Sequence, residues 1–171
     1  MEWGKGVILA VLLAVATVAV AKTTVDWDGD ADFSKYRTYS WKDGTPIQNP
    51  LMQERAVEAV NEQLQAKGMK QVVSGSDVQV VIHASQHQEQ QIVGSSFGYG
   101  RWGGWGGTTS TSVYNIPKGS LMVDLVDSSS NKLVWRGSAS ETLSDKPEKN
   151  TKKIRKVIEK MFKKYPPEKD D

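Results

Sequence analysis

The sequence predicts an α+β fold in a single domain: a mainly antiparallel sheet with two helices packed on one face, plus a Gly/Trp-rich loop. Three observations predict it. Residues 49–68 and 151–164 carry apolar side chains at helical spacing. Other stretches alternate apolar and polar with the period of a strand. A length of 171 residues suits one domain. The predicted order is β-β-α-β-β-loop-β-β-α.

Residues 1–21 read as a signal peptide. Lys5 supplies positive charge, Val7 to Val20 is apolar except for Thr17, and Ala19-Val20-Ala21 places small residues where a signal peptidase cuts. The apolar run falls short of the roughly 20 residues of a bilayer span, so cleavage is expected rather than an uncleaved anchor. The domain then covers 22–167, and 168–171 is a charged tail.

Tyr36 to Trp41 is β-branched and aromatic and predicts a strand. Asn49-Pro50 is a helix start, with Asn as cap and Pro at the first helical position. Met52, Ala56, Val60 and Leu64 then form one stripe, flanked by Val57, and Gly68 ends the helix. A short strand is expected at Met69–Val73. Asp77 to Ser85 alternates, with Val78, Val80, Ile82 and Ala84 on one face. Leu121, Val123 and Leu125 alternate likewise. A turn at Ser128–Asn131 leads into a strand from Lys132 to Leu143, where Leu133, Trp135 and Ala139 share a face. The second helix, Thr151 to Lys164, carries Ile154, Val157, Ile158, Met161, Phe162 and Tyr165 on one stripe and stops at Pro166-Pro167.

Between the central strands lies GSSFGYGRWGGWGG, with seven glycines and four aromatics in fourteen residues. Glycine at this density is expensive to order, so residues 94–112 are expected to be a flexible loop.

Several stretches, in order, resemble the DUF4136 family. They are Asp32 to Trp41, Leu64 to Gly68, Asp77-Val78-Gln79-Val80, the Gly/Trp-rich loop, Gly119 to Asp127, Leu133 to Gly137, and Ile154 to Pro167. The resemblance implies a small exported bacterial protein of one α+β domain, with no assigned catalytic residues. Many members are lipoproteins. No cysteine lies near Ala21, so the lipid anchor is not carried over. Localisation is expected to be periplasmic or extracellular.

A net charge of +2 argues against a strongly basic nucleic-acid binder. With no cysteine, disulfides, thiol nucleophiles and Cys-ligated zinc are excluded. His83 and His87 lie on a strand, about 13 Å apart at ~3.3 Å per residue, so one ion cannot reach both. Asp26, Asp28, Asp30 and Asp32 alternate, but the spacing fails the EF-hand pattern. They read as a polar chain start and turn. No metal or cofactor is expected. Asp124, Asp127 and Glu141 are expected near one another in structural roles, with Arg136 opposite Asp124. The lysines of the second helix read as a solvated face, with anionic lipid as the alternative.

The expected function is a non-catalytic, exported envelope protein acting as a binding or accessory module. Its contact residues would be Phe97, Tyr99, Arg101, Trp102 and Trp105, since exposed aromatics stack on sugars, peptides or membrane interfaces. The expected partner is an envelope protein, a glycan or a membrane surface. The alternatives are a periplasmic hydrolase using His83 with a carboxylate, or an outer-membrane assembly factor. No nucleophile-elbow, zinc-protease or glycosidase spacing supports the hydrolase.

Overall fold

The computed structural model describes residues 22–96 and 109–168. The expected signal peptide, residues 1–21, and the last three residues lie outside them. The elements are β1 (Lys22–Trp27), a 3-10 turn (Phe33–Lys35), β2 (Thr38–Trp41), α1 (Pro50–Ala66), β3 (Lys70–Gln71), β4 (Val78–Ser96), β5 (Thr109–Asp127), β6 (Leu133–Thr142) and α2 (Pro147–Phe162). The six strands form one sheet in the order β1-β6-β5-β4-β2-β3. It is mixed: β1, β6, β5 and β4 pair antiparallel, whereas β2 runs parallel to both β4 and β3.

Local chemistry sets the first helix. The Asn49 side chain accepts from the Met52 amide, and Pro50 opens the helix. Gly68 takes φ +83° just past the end. Met69 N–H then donates to the Leu64 carbonyl at 3.0 Å and Gly68 N–H to the Gln65 carbonyl at 2.9 Å, which satisfies carbonyls the helix would leave open. The second helix starts at Pro147, a turn earlier than expected, because proline suits a first helical position.

The core lies between the sheet and the helices. Val78, Val80, Ile82, Leu121, Val123, Leu125 and Trp135 meet Ala56, Val60, Leu64, Ile158, Met161 and Phe162 there. Trp135 stacks on Phe162 at 4.9 Å between centroids, and Tyr165 closes the cluster edge-on. Arg55 donates to Thr151, and Arg155 pairs with Glu58 and Glu62. These contacts advance together along both chains, so the helices run parallel and begin at the same end of the domain.

Four expectations change. The acidic chain start contains strand β1, whose Thr23, Thr24 and Val25 pair with β6; β-branched residues hold it there despite Asp26. Leu133 is exposed and Val134 buried, because a register shift at Leu125/Val126 displaces the start of β6 by one position. The short strand after α1 shrinks to Lys70–Gln71, with Val73 fully exposed. Finally, residues 94–96 and 109–112 of the expected loop are paired strand.

Candidate functional site

The two central strands are far longer than their apolar alternation suggests. Each has 19 residues and they pair without interruption from Val78↔Asp127 to Ser96↔Thr109. The neighbouring strands stop early. β6 last pairs at Thr142↔Lys118, and β2 at Trp41↔Val80, with one further bridge at Thr45↔His83. From Glu89↔Ile116 outward, the described structure is a two-stranded ribbon. Eight residue pairs at ~3.3 Å each carry it about 25 Å beyond the sheet. Gln90 and Gln91 face Asn115 and Tyr114, and Lys118 reaches Glu89 at 3.5 Å.

Four large apolar side chains stand exposed near its far end: Ile92, Val93, Val113 and Tyr114. Ile92 and Val113 are cross-strand partners, with 67% and 56% of their surfaces open. The expected contact residues Phe97, Tyr99, Arg101, Trp102 and Trp105 lie outside the described residues, in the segment that joins the two ribbon strands.

At the ribbon's root, between the starts of both helices and the end of the sheet, is a cavity of about 330 Å³. Met52, Leu121, Leu143, Ile154 and Val157 make an apolar interior, with Glu141 and Lys153 at its rim. Its walls are pinned. Asn150 exchanges two hydrogen bonds with the backbone of Ser144, and Gln53 accepts from the Ile47 amide. Lys153 Nζ donates to the Thr142 carbonyl at 2.5 Å and lies 3.8 Å from Glu141. The sequence reading missed this cavity. Its one signal was apolar Ile47 standing in a polar connection.

The acidic residues separate instead of gathering. Asp124 sits opposite Arg136, which grips both its oxygens at 2.7 and 2.5 Å. The carboxylate is 4% exposed. His83 Nε2 is 4.0 Å from it, outside hydrogen-bond reach, and His83 Nδ1 faces the Thr45 hydroxyl at 3.2 Å. His87 pairs with Lys118, farther up β4.

Asp127 is a hub. One oxygen accepts from the backbone N–H and hydroxyl of both Ser129 and Ser130; the other takes Tyr36 OH and Lys35 Nζ, each at 2.9 Å. Those bonds, the Ser129 hydroxyl foremost, hold its carboxyl well below the usual carboxylate range. Burial, aided by Asp127, pushes the Tyr36 phenol up. Asp77 is likewise lowered, by the Arg37 amide and the Thr38 hydroxyl and amide. Glu141 lies at the other end of β6. Among the described residues no group of three His, Cys, Asp or Glu side chains could hold a metal ion. No described helix is long and apolar enough to cross a membrane.

The geometry defines an α+β domain with two parallel helices on a mixed sheet and a projecting ribbon. More specifically, the chain belongs to DUF4136, a domain of unknown function, whose family model matches residues 23–167. A solved PDZ domain protein from Parabacteroides distasonis has a similar fold, with TM-score 0.58 and 16% identity over 88% of this chain. This chain spans only 36% of that protein's length. Weaker likenesses include a PelC dodecamer from Paraburkholderia phytofirmans, at TM-score 0.49 and 12% identity over 83% of this chain and 95% of that one. Another is a minor lipoprotein from Acinetobacter baumannii, at TM-score 0.37 and 11% identity over 75% and 91%. No curated protein sequence matches this chain.

Proposed function

We propose that this protein is a non-catalytic binding or accessory module of the cell envelope, exported by residues 1–21, which holds a protein partner through the tip of its ribbon. One observation carries the reading: the β4–β5 ribbon leaves the sheet and bears Ile92, Val93, Val113 and Tyr114 exposed beside the Gly/Trp segment. Solvent-facing apolar groups grouped in this way mark contact surfaces. Among the described residues both outer edges of the ribbon are unpaired, and an extended partner strand can take up their backbone groups. Phe97, Tyr99, Trp102 and Trp105 would add stacking area, and Arg101 charge. A hydrolase would need Asp124 free to orient His83, and Arg136 occupies that carboxylate instead.

The test is photocrosslinking in intact cells from a reactive residue at Trp102, with a pull-down from envelope extract. In the pull-down, the double substitution Trp102→Ala/Trp105→Ala is expected to abolish capture and leave the unfolding midpoint unchanged. Undiminished capture by that variant overturns the reading.

A further inference from the structure

The basic residues of α2 divide into two sets. Arg155 turns inward to Glu58 and Glu62, and Lys153 to Thr142 and Glu141. Lys149, Lys152, Lys156, Lys160 and Lys163 fall at i, i+3, i+7, i+11 and i+14, a single row along the outer side of the helix. At 1.5 Å per residue the row is about 21 Å long. Among the described residues only Lys163 has an ion-pair partner, Glu159 at 3.2 Å. Glu148 is the other acid on the helix.

The row ends at a recess. Lys160, Lys163 and Lys164 line it together with Thr23 and Val25 of edge strand β1. Thr23 pairs with Ala139, which places it on the helix side of the sheet. Its hydroxyl is buried and has no hydrogen-bond partner among the described residues. A buried hydroxyl without a partner is costly, and three lysines line the same recess. An oxyanion seated in the recess would lie against the lysines, and a small shift of the side chains covering Thr23 would let it accept from that hydroxyl.

We propose that this face of α2 is a docking surface for an anionic phospholipid bilayer, with one lipid phosphate in the recess over Thr23. A small free anion would need the recess alone and leaves the extended row unexplained. The row is made of lysines, whose point charges suit a diffuse anionic surface; the planar forks that read nucleic acid are absent from it. The ribbon plays no part, so the proposal stands or falls separately from the partner reading.

The experiment is flotation of the purified protein with vesicles of phosphatidylcholine alone or mixed with phosphatidylglycerol. Binding is expected only to the anionic vesicles and to fade as ionic strength rises. Each lysine near such a surface is worth about fivefold in affinity, so Lys152→Gln/Lys156→Gln/Lys160→Gln should bind about a hundredfold more weakly. Its unfolding midpoint should not move, since the row is on the surface. Thr23→Val should weaken binding several-fold. The proposal is overturned if neutral vesicles bind equally, or if the triple variant floats like the parent. It also fails if inorganic phosphate displaces the protein completely at constant ionic strength, or if duplex DNA binds more tightly at the same ionic strength.

Discussion

Asp127→Ala tests the tie between the 3-10 turn before β2 and the turn between β5 and β6. The carboxylate is 3% exposed and accepts six hydrogen bonds or ion contacts from Lys35, Tyr36, Ser129 and Ser130. Hydrogen bonds to a charged group contribute about 1.5–3 kcal/mol each, far from additively. The serine groups sit in an exposed turn, where water can replace the lost acceptor. Tyr36 is 5% exposed, and its hydroxyl would be stranded. The expected loss is therefore about 3 kcal/mol at neutral pH, read by urea unfolding. The pH dependence has a definite sign. A carboxyl held below its unfolded value stabilises the fold above that unfolded value, near pH 4, and the benefit is lost as pH falls toward the folded one. The gap between parent and variant should thus be full at pH 7 and close below about pH 4. Asp77 is lowered in both proteins, and the Asp127 charge, the smallest influence on it, adds only a minor part to the difference. A loss under about 1 kcal/mol, or a gap independent of pH, would refute the hub.

Two further perturbations probe the sheet. Gly137→Ala would bring a Cβ within 2.8 Å of Trp135 and 2.9 Å of Met161, both fully buried, so thermal unfolding should show a loss of about 1–3 kcal/mol from overpacking. Arg136→Ala leaves the buried Asp124 carboxylate unmatched and should cost about 2–3 kcal/mol by denaturant unfolding, whereas the double change Asp124→Val/Arg136→Val should cost less than the single one.

Much of the fold was legible because its signals are local. Asn49, Pro50 and Gly68 set α1 by chemistry acting within four residues. The period-two runs through Val80 and Val123 needed only the rule that one sheet face is buried. Arg136 opposite Asp124 followed from the short turn between β5 and β6. The long-range features were not legible. The pairing of β1 with β6 joins residues more than a hundred positions apart, and four alternating aspartates suggested a polar chain start and turn. The register shift that buries Val134 leaves no mark in composition. The site was half legible. The Gly/Trp segment stood out, but the expected alternation stopped at Ser85, because the polar residues Gln86 to Gln91 give no period to follow. Its strand character comes from pairing with β5, which only the folded chain displays.

The ribbon makes the strongest case for a contact role because the fold has so little use for it. An isolated two-stranded hairpin is at best marginally stable in water. The ribbon has no helix or third strand beside it among the described residues. A cross-strand pair such as Ile92–Val113 adds about 0.2–1 kcal/mol, and polar residues would keep the same backbone bonds. The core is already complete below it, around Trp135, Phe162 and Leu64. Large apolar groups placed on such an extension therefore do little for the domain they belong to, and in the proposed reading their exposure serves a partner's surface.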